Sequence, residues 1–520
     1  MGVYFKAAVA ADNGFCSEIG RDILLDGGNA VDAAVATMFC VGVMDPHSAG
    51  LGGGHFMTFY NASSGECISL DARETAPAGA NKEMFVNNKQ AAVKGWLSSG
   101  VPGELHGLWT AYVNFGSGRI PWFRLLEPSI ELLENGFPVS TALSKALSGK
   151  EKYRKSPINR DPSDETSYLA PFVNPITGQL YKTGDVVKRP DLARTLRILA
   201  YANLSAETPV DIFYKGFIGQ ELANEFQKYG GIINKEDFSN YKSKLRKPIV
   251  SYISKGLTMC GPPPPSSSAV VQSILKTFSE FSLKIKTVEE NVDLYHKFIE
   301  SMKFAYAERN KLGDEDFVPN ARQIAENMTS DDFVQMIAKK ITDKAHKNLI
   351  FGSTRRSPKY DIIFNDQMDD FSTPGESNSF GYLPSNANFI QPGKRPFSSM
   401  SPMIFFNNET KEVKMVVGAA GGSRIISAVS YVAMRTLYLN ETIKQAVDAP
   451  RIHNQLVPNI VQYEQGFPQK YIEGLKQKGH TVEVSNGISV ATAILKDGKS
   501  KILLANSDIR KGPSSYCAGY

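Results

Sequence analysis

A layered α/β sandwich is the fold class this sequence predicts, and three observations carry it. Strand and helix patterns follow one another along 520 residues without the strict strand–helix–strand rhythm of a doubly wound sheet. Hydrophobic residues make up 42% of the chain and charged residues 21%, enough for a large core under an ordinary polar surface. The second half turns on an apolar strand at 413–417, a Gly-Ala-Ala-Gly-Gly turn at 418–422 and a helix over 423–439. The length suits one large domain or two to three smaller ones.

Residues 3–11 alternate and predict one strand, followed by a helix over 16–25 that closes on Asp26-Gly27-Gly28. Asn29 caps a helix over 30–44, which is apolar nearly all round and is expected to be buried. Gly50, Gly52, Gly53 and Gly54 precede a strand at 55–60, not a helix, so they miss the dinucleotide fingerprint and instead predict a close approach of two backbones. A short strand at 67–70 delivers Arg73 to a loop, a common place for a site residue; a surface ion pair with Asp71 or Glu74 is the plainer alternative. Helices follow over 104–114, 125–133, 190–202 and 216–229, with a charged, exposed loop between 150 and 167. An alternating strand over 249–260 runs into Pro262–Pro265 and launches a helix over 269–281. The long helix over 288–311 carries His296, Lys303, Tyr306 and Arg309, and its charges are expected to be solvated. A helix over 331–345 closes this half. Beyond it come strands at 403–406, 460–463, 481–484, 491–495 and 501–505 and a helix over 441–449.

Composition excludes several functions. A net charge of +5 without a Lys/Arg block argues against nucleic acid as a partner. No run of 18 apolar residues is present, and the first residues read as neither a signal peptide nor a myristoylation site. Five cysteines, Cys16, Cys40, Cys67, Cys260 and Cys517, are too scattered for a zinc site. Sequons at Asn61, Asn203, Asn327, Asn408 and Asn440 permit glycosylation without requiring it.

The chemistry concentrates between 365 and 422. A strand, glycine turn and helix start aims backbone N–H groups at an anion. The acids of Asn365-Asp366-Gln367-Met368-Asp369-Asp370 and the hydroxyls of Ser398 and Ser399 could grip a small zwitterion beside it. A tight turn in an ordinary α/β unit and a solvated acidic loop is the alternative. A metal held by Asp366, Asp369 and Asp370 is a third reading, but the EF-hand pattern fails for want of its glycine and closing glutamate.

Many ordered segments together resemble the γ-glutamyltransferase (glutathione hydrolase) family, across nearly the whole chain. They include Gly27-Gly28-Asn29-Ala30-Val31-Asp32, Arg73-Glu74-Thr75-Ala76-Pro77, Gly100-Val101-Pro102-Gly103-Glu104 and Lys303-Phe304-Ala305-Tyr306. The acidic segment 365–371, Ser398-Ser399-Met400, the turn at 418–422 and Pro450-Arg451-Ile452-His453-Asn454-Gln455 continue the series. The resemblance implies a four-layer αββα N-terminal-nucleophile hydrolase with interleaved regions, 1–345 like a large subunit and 346–520 like a small one. It implies small γ-glutamyl substrates such as glutathione, no cofactor and no metal. Arg73 would clamp the substrate α-carboxylate with Ser398 and Ser399, because guanidinium forks match carboxylates. Asp370 would take the α-ammonium with Gln367 and Asn348, while Gly421 and Gly422 would supply oxyanion N–H groups. Cys16 and Cys40 match a family disulfide, which suits an oxidising compartment. The family sits on the outer face of the plasma membrane or is secreted, through an N-terminal anchor or signal that this chain lacks.

One departure matters. Relatives place a stretch holding the self-cleavage site, the threonine nucleophile and a strand pair before the segment at 348–352. Here Lys344-Ala345-His346-Lys347 runs directly into Asn348. The expectation is therefore a sandwich with part of its central sheet missing and no nucleophile. Thr342, Ser353 and Thr354 are poor substitutes, since charged residues follow each of them. A non-catalytic binder of glutamyl ligands is the alternative function.

Overall fold

The computed structural model describes residues 1–149, 167–202, 207–253, 256–282, 285–345 and 361–520. Two antiparallel sheets face each other at its centre. The larger has seven strands in the order Gly2–Tyr4, Leu503–Asn506, Val490–Lys496, Val413–Ala420, Met403–Asn407, Leu257–Gly261 and Ile249–Ile253. Met403–Asn407 shows how the layers form. Met403 and Phe405 join the apolar core beneath the helices Ser268–Ser279, Val288–Arg309 and Ile425–Tyr438. Ile404 and Phe406 turn the other way, towards the second sheet. A strand buried on both faces reads as a continuous apolar run, as this one does.

The second sheet has three strands among the described residues, with Glu66–Ala72 between His55–Asn61 and Lys244–Arg246. Tyr60 stacks on Phe406 with ring centroids 4.2 Å apart, and the Thr58 hydroxyl donates to the Pro402 carbonyl at 2.9 Å. A disulfide between Cys67 and Cys260, which the sequence did not suggest, ties the sheets together. Gly14–Leu25, Ala30–Met44, Glu104–Phe115 and Trp122–Asn135 cover the outer face. The result is a four-layer αββα sandwich whose second central sheet is small. Asn29 caps Ala30–Met44 reciprocally with Asp32, and a Cys16–Cys40 disulfide pins that helix to the one before it.

Several expectations need correction. Residues 3–11 form two short strands, Gly2–Tyr4 and Ala8–Ala10, in different sheets. The stretch 249–260 is a hairpin, not one strand. Buried Ile249, Ser251 and Ile253 alternate with exposed Val250 and Tyr252, and a period of two does not reveal a reversal through Gly256 at φ 69°. The helix Gln469–Gln477 was missed because its polar sequence buries only Ile472 and Leu475. The predicted loop at 150–166 lies outside the described residues.

Four side chains of Val288–Arg309 expected in solvent, His296, Lys303, Tyr306 and Arg309, are buried, whereas Glu289 on the same helix is exposed. His296 and Lys303 belong to a directed hydrogen-bond chain. His296 Nε2 donates to the Thr342 carbonyl at 2.5 Å, so its Nδ1 must accept from His480 Nε2, 2.8 Å away. Lys303 Nζ lies 3.5 Å from His480 Nδ1 and donates to Glu300 at 2.7 Å. Burial lowers the pKa of His296 and His480, and holds His453 down to about 3. Such imidazoles are neutral when folded but take a proton near pH 6.5 when unfolded. Their contribution is therefore complete above about pH 6.5 and is lost as pH falls. Urea unfolding at about pH 5 is expected to show stability lower by about 2 kcal/mol for His453 alone, with a shallower pH slope in His453→Gln.

Candidate functional site

Arg73 follows directly on the strand Glu66–Ala72, on a platform of buried ion pairs. Asp71 on that strand takes Arg246 Nε at 2.8 Å and Arg395 Nε at 3.1 Å, and accepts the Arg73 amide at 3.1 Å. The Arg73 side chain is only 1% exposed, so the surface ion pair is ruled out. Its Nη1 donates to Gln367 Oε1 at 2.8 Å, its Nε donates to the Pro396 carbonyl at 3.2 Å, and its Nη2 pairs with the Asp370 carboxylate. Glu74 Oε2 lies 3.6 Å from Nη1.

Asn365 fixes the loop that brings Gln367 and Asp370 to Arg73. Its side-chain amide donates to the carbonyls of Gly52 and Gly100 at 2.8 and 2.9 Å, and its Oδ1 accepts from the Gly100 and Gln367 amides. Gly52 makes the close approach expected of the glycine run: a Cβ there would lie 2.1 Å from the Ile363 carbonyl oxygen. Asn388 then joins the acidic turn Gln367–Asp370 to the next segment, donating to the Asp370 carbonyl at 2.8 Å and accepting from the Phe397 amide at 2.9 Å.

The structure thus brings Arg73, Gln367 and Asp370 together. Ser398 and Ser399 follow the Pro396 carbonyl, but their hydroxyls are engaged elsewhere. Ser398 Oγ accepts from the Met400 amide at 3.0 Å, and Ser399 Oγ accepts from Arg309 Nη2 at 3.2 Å. Asn348 lies outside the described residues. Arg309, which sequence reasoning left on a solvated face, sits 3.9 Å above the Tyr382 ring and 4.7 Å above Phe397. Its signal was available: Tyr306 and Arg309 are three residues apart on a helix and share a face.

Gly421 and Gly422 occupy the turn between Val413–Ala420 and Ile425–Tyr438 at φ 137° and 58°, the region that favours glycine. A Cβ on Gly422 would fall 2.5 Å from the Phe380 ring. Gly422→Ala is expected to cost about 1–3 kcal/mol in a urea melt, through φ and overpacking together. Gly418→Ala, which meets nothing within 4 Å, is the control and should cost far less.

Burial raises Glu74 to about 7, although Arg73 pulls it down, and raises Asp369 to about 6. Asp366 is pushed well up by burial, with Asp370 and Asp369 adding to the effect. A forked guanidinium beside an acceptor-only carboxylate suits the carboxylate and ammonium of an α-amino acid. Among the described residues, the group that converges as potential metal ligands is His296, Glu300 and His480, away from the acidic loop. Both nitrogens of His296 are engaged in hydrogen bonds, and the Lys303 ammonium stands against Glu300 and His480, so we assign no metal there.

The fold has close counterparts. A cephalosporin acylase from Bacillus halodurans superposes with a TM-score of 0.84 at 23% identity, over 100% of this chain and 96% of that one. Fold and layer order define a four-layer αββα sandwich. Residues 16–349 and 346–517 match the family described as Gamma-glutamyltranspeptidase. Scoloptoxin SSD14 of Scolopendra dehaani is 38% identical over 99% of this chain and 92% of its own length. Glutathione hydrolase 2 of Arabidopsis thaliana is 35% identical over 99% of this chain and 94% of its own. The chain belongs to the γ-glutamyltranspeptidase family.

Proposed function

We propose that the chain holds glutathione or another γ-glutamyl compound by its glutamyl head and does not break the γ-amide bond. The convergence of Arg73, Gln367 and Asp370 carries this reading. A zwitterion inserted between Arg73 and Asp370 would give each its complement, carboxylate to guanidinium and ammonium to carboxylate, in place of their present mutual pair. Gln367 and Asn348 would assist the ammonium, Ser398 and Ser399 the carboxylate, and the N–H groups of Gly421 and Gly422 the γ-carbonyl. We read 1–345 and 346–520 as counterparts of a large and a small subunit kept in one polypeptide. The two disulfides suit an oxidising compartment.

Three observations support the absence of turnover. The family match falls into two pieces that meet at 346–349, where the nucleophile segment is expected. Alignments with the two relatives run over 552 and 572 positions, longer than this 520-residue chain. The second central sheet has three strands among the described residues. Among the described residues no nearby hydroxyl substitutes: Thr342 is exposed, with Asp343 following and its carbonyl tied to His296, and Ser398 is buried in mid-chain, while Ser353 and Thr354 lie outside the described residues. Purified protein is expected to run as one uncut band near 57.0 kDa and to release no p-nitroaniline from γ-glutamyl-p-nitroanilide. Two fragments, or turnover, would overturn the reading.

A further inference from the structure

A cavity of about 490 Å³ lies beside the Arg73 cluster, a volume within the range of small-molecule pockets. Its walls are mostly apolar, with Met38, Leu143, Leu147 and Phe172 among them. Three carboxyl groups also line it, Glu74, Glu104 and Asp366, yet among its described lining residues there is no lysine or arginine. Two polar atoms are left over. Glu74 Oε2 and His55 Nε2 have no hydrogen-bond partner, although the residues are only 1% and 6% exposed. Orphaned buried polar atoms are costly, and a native fold retains few of them. Arg73 stands 3.6 Å from Glu74 Oε2 but is committed to Asp370 and Gln367. His55 Nδ1 occupies Glu104 at 2.7 Å, Glu74 shares Arg73 with Asp370, and Asp366 has no ion pair among the described residues.

We propose that this cavity binds an amine with an apolar body, its ammonium against Glu74 and Asp366 and its hydrocarbon or aromatic part against Met38, Leu143 and Phe172. The proposal goes beyond the γ-glutamyl reading and needs neither Asp370 nor the glycine turn. Charge balance supports it, since Arg73 serves both Glu74 and Asp370 and no ion pair with Asp366 forms among the described residues. Without a ligand, the excess acid is relieved by protons, and burial holds Glu74 protonated up to about 7. An entering ammonium takes the place of such a proton, so binding releases one. The other charged groups acting on Glu74 are Arg73, which pulls it down, and Asp370 and Glu104 (from the helix Glu104–Phe115), which push it up. His55, from the strand His55–Asn61, is held on Glu104, and His47, held near 4 by burial, stays neutral above about pH 5.

Calorimetry on the full chain with tryptamine, and with indole-3-ethanol as its uncharged counterpart, tests this. Tryptamine is expected to bind at least tenfold more tightly than the alcohol, more tightly at pH 8.5 than at pH 6, and with release of about one proton at pH 6 seen in buffers of different ionisation heat. Glu74→Gln should weaken tryptamine at least tenfold, and Ala146→Trp, which fills the cavity, should abolish its binding. Asp370→Asn should lose glutathione and still prefer tryptamine to the alcohol, so that the two readings fail separately. Equal affinity for amine and alcohol, absence of proton release, or no binding of tryptamine would overturn the proposal.

Discussion

Arg73→Ala is expected to lower the stability of the folded chain by about 3–5 kcal/mol. The guanidinium is 1% exposed and holds Gln367, Asp370 and the Pro396 carbonyl at once. Its removal leaves the Asp370 carboxylate without its partner and Glu74 without the cation 3.6 Å away. The cost is that of uncompensated buried polar groups, not merely of one lost pair. Arg73→Met combined with Asp370→Leu removes both charges and is expected to recover much of the loss. Urea midpoints of the single and double variants check this. An Arg73→Ala protein as stable as the parent would show that the cluster does not form.

Asp370→Asn is expected to weaken glutathione binding about 30- to 100-fold, the equivalent of about 2–3 kcal/mol for a lost charge-assisted contact to an ammonium. The amide retains the shape and one acceptor oxygen, so the turn Gln367–Asp370 and the Asn388 bond to the backbone carbonyl should persist. Unchanged circular dichroism with lost binding would place the effect at the site. An unchanged affinity would mean that the ammonium sits elsewhere.

Much of this was legible in the sequence, for identifiable reasons. Asn29 before the apolar run at 30–44 announced a capped, buried helix, and local chemistry alone sets such a cap. The pairing of Arg73 with Asp370 came from a resemblance, since no periodicity joins residues 297 positions apart. What escaped were features decided by tertiary packing. The polarity of His296, Lys303 and Arg309 argued for solvent, yet a hydrogen-bond chain and two aromatic rings absorb them inside. The reversal within 249–260 escaped because a hairpin keeps the same two-residue period on both arms. The Cys67–Cys260 bridge escaped because its partners lie 193 residues apart and meet only when the sheets stack.

The most direct measurement is calorimetric titration of glutathione into the folded, uncut 57.0 kDa chain. A saturable heat at one site per chain, lost in Asp370→Asn and unaccompanied by release of glutamate, is the result predicted. A folded chain that takes up no glutathione, or one that consumes it, would contradict the account.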